Sequence, residues 1–244
     1  MTPSKKSSKL KAQSSKVVIL LGPPGAGKGT QAELLSQKLN LFYFETSKLL
    51  EERYRNIRKG EYVEADGQKY YLADEKKKWE TGELNSFPFV TKIVIERFSK
   101  LHDEGRGLLL AGSPRSLYEA EREMLFLQKA YGKRNIHVII LNISEETTIE
   151  RNSKRRICEL MRHPILSNVE TESLTMCPLD GSKLIKRTGL DDPDSIKVRL
   201  QEYRNHTFPI IQYIRAQGFQ VEEIDGLGSP AQVFRDSMAV LERK

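Results

Sequence analysis

The chain has 244 residues, 40 Lys and Arg against 33 Asp and Glu, a formal net charge of +7 and two cysteines. That length fits one domain with inserts, and two cysteines exclude a disulfide framework and suit a reducing cytoplasm. Five lysines and no acid fall in residues 1–16, so the excess of base lies in the tail and the nearly neutral body argues against nucleic-acid binding.

Residues 1–15 are rich in Ser and Lys, almost without apolar side chains, and read as a disordered basic tail. The tail lacks the apolar stretch of a secretory signal and the arginines of a transit peptide. No run approaches membrane-spanning length, so no membrane association is expected. The apolar run Val17–Leu21 predicts a buried strand, and residues 31–39 have helical apolar spacing. Between them stands Gly22-Pro23-Pro24-Gly25-Ala26-Gly27-Lys28-Gly29-Thr30. A strand, a glycine-rich turn and a helix start are the context of a P-loop. Glycines let successive backbone N–H groups close around phosphate oxygens, and the helix points its positive end at them. Lys28 supplies a cation for the β- and γ-phosphates, and Thr30 a hydroxyl for Mg2+.

Further apolar runs at 41–44, 107–110, 137–141 and 219–224 alternate with helix-like segments. Five short strands in that rhythm predict an α/β fold, a five-stranded parallel sheet covered by helices on both faces. Two stretches break the rhythm. Residues 46–84 are highly charged and read as short helices; 157–186 are loop-rich and hold both cysteines. The expected organisation is a core of 16–45, 85–156 and 187–244 with inserts at 46–84 and 157–186.

In the second insert, Cys158, His163, Cys177 and Asp180 follow a Cys-x4-His…Cys-x2-Asp pattern. Two thiolates, an imidazole and a carboxylate form an acceptable tetrahedral Zn2+ set. Zinc is the favoured reading, and a flap held by hydrogen bonds around two buried cysteines is the other. A thirty-residue flap has little core of its own, so a metal would supply much of its order.

The P-loop ends Gly27-Lys28-Gly29-Thr30-Gln31, with a glycine before the threonine. In this it resembles the adenylate kinases and their nucleoside monophosphate kinase relatives. Further matches follow in family order. Residues Leu110-Ala111-Gly112-Ser113-Pro114-Arg115 resemble the family's Asp-Gly-Phe-Pro-Arg segment. Arg151 with Arg155-Arg156 resembles the arginines at the lid entrance. Asp191-Asp192 followed by Arg199-Leu200-Gln201-Glu202-Tyr203 resembles the segment after the lid, and Ile224-Asp225-Gly226 the last strand and its adenine-side loop. The resemblance implies a P-loop NTPase that transfers the γ-phosphoryl group of ATP to a nucleoside monophosphate, with AMP the leading acceptor (ATP + AMP ⇌ 2 ADP). It implies that 46–84 binds the acceptor and that 157–186 is the lid, a place where many adenylate kinases carry zinc.

By the same resemblance, residues Gly25, Ala26, Gly27, Lys28, Gly29, Thr30, Arg151 and Gly228 hold ATP. Arg115 holds the acceptor phosphate, and Thr46 and Glu119 complete the acceptor site. Lys28, Arg155, Arg187 and Arg199 close around the transferring group. The expected partners are small-molecule nucleotides, and the expected state is a cytoplasmic monomer. Three positions depart from the family pattern. Glu51 replaces an arginine expected on the acceptor phosphate, with Lys48, Arg53 or Arg58 as possible substitutes. Ala111 replaces an aspartate that helps hold Mg2+ through water. Glu119 replaces a glutamine that reads the acceptor base. A carboxylate can only accept, which suits guanine N–H groups better than adenine, unless Glu119 merely starts an exposed helix. Two alternatives therefore remain: a kinase for another monophosphate such as GMP, and a nucleotide-binding protein that has lost catalysis.

Overall fold

The computed structural model describes residues 16–81, 83–186 and 191–243. The expected tail, 1–15, and Arg187 lie outside the described residues. In chain order, strand β1 (Val17–Leu21) leads through the glycine-rich loop into helix α1 (Lys28–Leu39) and strand β2 (Phe42–Phe44). Helix α2 (Thr46–Tyr54), strands β3 (Tyr62–Ala65) and β4 (Gln68–Tyr71) and helix α3 (Leu72–Thr81) follow. Helix α4 (Phe87–Asp103) leads to strand β5 (Leu108–Ala111), helix α5 (Leu117–Tyr131), strand β6 (Ile136–Asn142) and helix α6 (Glu145–Lys154). Three short strands, β7 (Arg156–Cys158), β8 (Pro164–Ile165) and β9 (Leu184–Ile185), precede helices α7 (Pro193–Glu202) and α8 (Phe208–Ala216). Strand β10 (Gln220–Asp225) and helix α9 (Pro230–Leu241) close the chain.

The five expected strands form one parallel sheet in the order β10-β6-β1-β5-β2. β1 is central and buried throughout. Its alternate side chains feed two cores: Val17, Ile19 and Leu21 pack towards α4, α5 and α8, and Val18 and Leu20 towards α1 and α9. Several helices start on a side chain that caps a free backbone N–H: Ser116 for α5, Ser144 for α6, Asp192 for α7 and Ser229 for α9. All strands run the same way, so the loops after β1, β2, β5 and β6 leave from one edge, and the residues expected to bind nucleotide follow them there.

The reading of 46–84 as short helices needs correction. Two helices are present, but a β-hairpin, β3–β4, stands between them. Its two-residue turn is Asp66-Gly67, with both residues at positive φ, 50° and 74°. Val63 and Ala65 alternate inward with Tyr62 and Glu64 outward. An Asp-Gly pair between such runs is a strong hairpin signal, masked here by the charge of its surroundings. On the outer face Tyr62 and Tyr71 meet edge to face at 5.9 Å, with Lys69 over the Tyr62 ring. The loop-rich reading of 157–186 also gains detail, since β7 pairs antiparallel with both β8 and β9.

Candidate active site

The loop after β1 is shaped by close approach. Gly25 has φ +83°, and a Cβ there would lie 2.5 Å from Asn152 Nδ2. Gly27, at φ +88°, caps α1, and nothing lies within 4 Å of where its Cβ would be. Residues 25–30, Arg151 and Gly228, the whole set expected to hold ATP, line one cavity of about 980 Å3. Arg155 and Arg199 line it too, as do the carboxylates of Glu33, Glu45 and Glu150. Arg151 donates to the carbonyls of Gly226 and Leu227 at 2.8 and 3.2 Å, which binds the loop after β10 to the cavity wall.

Lys28 Nζ donates to the carbonyls of Gly22 and Pro23, at 2.7 and 2.9 Å. Burial, and then the charges of Arg199, Arg115 and Arg155, push its pKa down to about 7. Four cations from distant parts of the chain therefore converge. Such an arrangement suits a ligand with several negative charges. Asp191 positions two of them. Its buried carboxylate pairs with Arg155 through two hydrogen bonds and lies 3.8 Å from Arg199 Nη1. Sequence reasoning gave Asp191 no role of its own. The signal was in the Asp191-Asp192-Pro193 run: Asp192 caps α7, donating no charge to the cavity, which leaves its neighbour to face the arginines.

Arg115 stands exposed after β5, its Nε bonded to Gly112 O at 2.7 Å. Glu119 is buried, which rules out the exposed helix start. Its carboxylate accepts the backbone N–H of Arg115 at 2.7 Å, while its own N–H reaches Ser116 Oγ. Ser116-Leu117-Tyr118-Glu119 is thus a variant of the capping box, a sequence signal passed over in favour of base recognition. One turn on, Glu123 is fully buried and accepts from Ser113 Oγ at 2.9 Å. Burial, and then the charge of Glu119, raises the Glu123 pKa well above the ordinary carboxylate value. Burial also raises Glu119, against the opposing pull of Arg115. Thr46, the first residue of α2, is buried at the end of β2.

Two of the basic residues expected to replace the arginine lost at Glu51 have their side chains engaged locally. Lys48 pairs with Glu45, and Arg53 with Glu61 at 3.5 Å. Glu51 itself pairs with Arg55 at 3.3 Å. Arg58 donates its backbone N–H to Glu61. Ala111 ends β5, in register with Leu20 of β1.

Cys158, His163, Cys177 and Asp180 come together, with one ligand atom from each lying within 4.8 Å of the others. His163 Nδ1 is 3.5 and 3.7 Å from the two sulfurs and 3.3 Å from Asp180 Oδ2. The second carboxylate oxygen, Oδ1, accepts from the N–H and hydroxyl of Ser182, which turns Oδ2 to the other three donors. The backbone N–H of His163 points at Cys158 Sγ, 3.1 Å away. Both cysteines are free thiols. Two sulfurs, a nitrogen and an oxygen converging with a supporting hydroxyl fit a tetrahedral zinc ion.

Glu123 makes a prediction about stability. In the unfolded chain it ionises near the ordinary carboxylate pKa of about 4.3, whereas in the folded protein it holds its proton to higher pH. Its contribution to stability therefore falls as pH rises above about 4.5. Glu123→Gln keeps an acceptor for Ser113 and removes that loss. The variant should melt about 2–5 °C above wild type at pH 8, with the gap closing towards pH 4.5. Calorimetry at both pH values checks this, and a gap independent of pH would refute it.

The profile of the family described as adenylate kinase matches residues 20–219. The adenylate kinase of Anaeromyxobacter dehalogenans strain 2CP-C is 31% identical over 233 residues, which cover 93% of this chain and all of the relative. That of Methanothrix thermoacetophila is 31% identical over 229 residues, 93% of this chain and 98% of the relative. That of Dehalococcoides mccartyi strain BAV1 is 30% identical over 226 residues, 92% and 97%. A P-loop at the edge of a five-stranded parallel sheet, with similarity along nearly the whole length, leads to one conclusion: the chain belongs to the adenylate kinase family of nucleoside monophosphate kinases, phosphotransferases that use ATP and Mg2+.

Proposed function

We propose that this chain transfers the γ-phosphoryl group of ATP to AMP, giving two ADP, with a core of 16–45, 85–156 and 187–244, an acceptor-binding segment at 46–84 and a lid at 157–186. The observation that carries the reading is the convergence of Lys28, Arg115, Arg155 and Arg199. Phosphoryl transfer needs positioning and neutralisation of charge on the moving group, and no covalent enzyme intermediate. Residues 25–30 cradle the phosphates, Arg151 and Gly228 border the adenine side, and Arg115 takes the acceptor phosphate. Lys28, Arg155 and Arg199 surround the transferring group, and Arg187 joins them on resemblance alone. Asp191 holds Arg155 and Arg199 so that little reorganisation is needed as charge develops. Lid closure excludes water, which would otherwise compete as acceptor.

Thr30, Glu33 and Glu45 give the cavity hard oxygen donors suited to Mg2+ or its water shell. When bound, that ion neutralises charge between the β- and γ-phosphates. Cys158, His163, Cys177 and Asp180 hold Zn2+, which orders the lid. Thr46 and Glu119 lie on the acceptor side, and the Glu119 carboxylate is already engaged by the Arg115 N–H, which leaves AMP the leading acceptor. ADP formation measured with AMP, GMP, CMP and UMP tests the acceptor; AMP should give the highest kcat/KM, and a GMP preference would assign Glu119 the discriminating role. Two cysteines in the whole chain suit a reducing cytoplasm, and the reading takes the protein as a monomer there.

Lys28→Met should lower kcat by several orders of magnitude with the fold intact, and near-normal turnover would refute the assignment. Lys28 adds a second readout. With a pKa of about 7 in the free protein, it is largely neutral at pH 8. Phosphates raise that value, so ATP binding at pH 8 should take up close to one proton, and at pH 6 almost none. Titration calorimetry in buffers of different ionisation enthalpy measures the uptake, which Lys28→Met should abolish.

Protein purified from zinc-replete cells without chelator should carry about one zinc per chain. Cys177→Ser should lose the zinc and melt at lower temperature. Stoichiometry near zero would favour the flap held by hydrogen bonds.

A further inference from the structure

The hairpin does more than extend the acceptor-binding segment. Its base is fixed in the core: Val63 and Leu72 pack in the same cluster as Tyr54 and Phe89, and Leu72 N–H donates to Glu61 O. Its tip crosses to a different part of the fold. The Tyr118 hydroxyl donates to Asp66 Oδ2, fifty-two positions earlier in the chain. Arg122 Nη2 lies 3.5 Å from the same oxygen. The Arg122 guanidinium covers the Tyr118 ring at 3.5 Å from its centroid and donates to Tyr118 O. Each of the three side chains touches the other two, and each is partly exposed.

The place of this contact gives it a consequence. Tyr118 and Arg122 lie on the first two turns of α5, on either side of the peptide stretch that carries Glu119. Glu119 holds the backbone N–H of Arg115. The hairpin tip is therefore anchored to the helix start that sets the Arg115 backbone. The hairpin base leads back through α2 to Thr46, at the end of β2. The chain from 46 to 71 thus spans from one sheet strand to the Arg115 platform, and its far end is held by side chains alone.

We propose that Asp66, Tyr118 and Arg122 form a latch that holds the hairpin tip on the start of α5, and that they are positioning residues for the acceptor nucleotide. The proposal rests on the reading of 46–84 as the acceptor-binding segment. Partly exposed hydrogen bonds and ion pairs are each weak, so the latch closes the segment and still lets it open in each turnover. Burial and the bond to Asp66 keep the Tyr118 hydroxyl protonated, with its pKa pushed up to about 12, so it donates throughout the neutral range. Asp66 also suits the turn, because aspartate tolerates the left-handed φ that the tip requires.

Two conservative variants test the latch without unfolding the hairpin. Asp66→Gly removes the carboxylate that accepts from Tyr118 and keeps a residue suited to the positive φ of this turn. Tyr118→Phe removes the hydroxyl and keeps the ring beneath Arg122. Each should raise KM for AMP about three- to tenfold, the scale of one lost, partly exposed hydrogen bond. KM for ATP and kcat at saturating AMP should stay within about twofold. Amide hydrogen exchange over 62–71 should quicken in both. In the double variant the two effects should fall short of their product, since both remove one interaction. Unchanged exchange would overturn the latch. Faster exchange with an unchanged KM for AMP would overturn the positioning role and the assignment of 46–84 to the acceptor. Equal rises in both KM values would also overturn the proposal, as a general loosening of the fold. Failure of the wild-type protein to form ADP from AMP would instead refute the parent reading, before any variant is made.

Discussion

Four cations face one another around the loop that follows β1, and the fold has to hold them there against their repulsion. The cost is visible in Lys28, whose pKa falls to about 7 under burial and three guanidinium groups. Two devices contain it. Lys28 rests on the carbonyls of Gly22 and Pro23, and Asp191 answers Arg155 and Arg199 with one buried carboxylate. Neither device neutralises the set. A polyphosphate ligand supplies the rest of the charge, so affinity and catalysis draw on strain already present in the free protein. Asp191 has a further position of note. Arg155 directly precedes β7, and Asp191 lies just before α7, so their pair closes the base of the flap between them. The group that pairs with the arginines also joins the two ends of the segment proposed as the lid.

On the acceptor side, folding and chemistry share the same few residues. Ser116 and Glu119 start α5 by satisfying backbone donors, and this fixes the Arg115 backbone. Glu123 and Ser113 bury a second carboxyl group one turn deeper. Two carboxylates four residues apart on a buried helix face repel, and burial already opposes their ionisation. The fold tolerates them because Glu119 has the Arg115 backbone and charge nearby, while burial raises the Glu123 pKa well above the ordinary carboxylate value. Burial there favours the neutral acid, which can still accept from Ser113.

What could be read from the sequence followed the reach of each signal. The sheet was legible because β1 is buried on both faces and its neighbours are short apolar runs bounded by turn residues. The loop at 22–30 was legible because its glycines answer local needs, φ +83° and a side chain 2.5 Å away at Gly25. The hairpin was obscured: its outer face is charged and aromatic, so only Val63 and Ala65 mark the inward side. Asp191 and Glu123 were missed for another reason. Both acquire meaning from partners off their own helix or turn, Arg155 thirty-six residues before Asp191 and Ser113 ten residues before Glu123. Spacing along a sequence cannot report such pairs. The lid donors fall between these cases, since two close pairs, Cys158 with His163 and Cys177 with Asp180, are local and only their meeting is tertiary.

The two flaps beside the sheet solve one mechanical problem differently. A part that closes over a substrate has to be stiff inside and loosely attached outside. The hairpin segment draws its stiffness from the main core through Val63, Tyr54 and Leu72. On the proposed latch, its tip is held by Asp66, Tyr118 and Arg122, three partly exposed side chains. The lid has almost no core: Cys158, Ile165 and Cys177 are its buried cluster, with Leu184 packed against them. Its strands are two or three residues long, too short to be stable alone. Arg156 adds a clamp from within, reaching the carbonyls of Thr171 and Leu174. The four convergent donors stand next to that clamp and cross-link the two halves of the flap. Among the described residues the order of this flap is thus largely internal to it, and the Arg155–Asp191 pair joins the core segments on either side of it. On the proposed reading, the pair that aligns the transferring group also ties the two ends of this flap together beside the site.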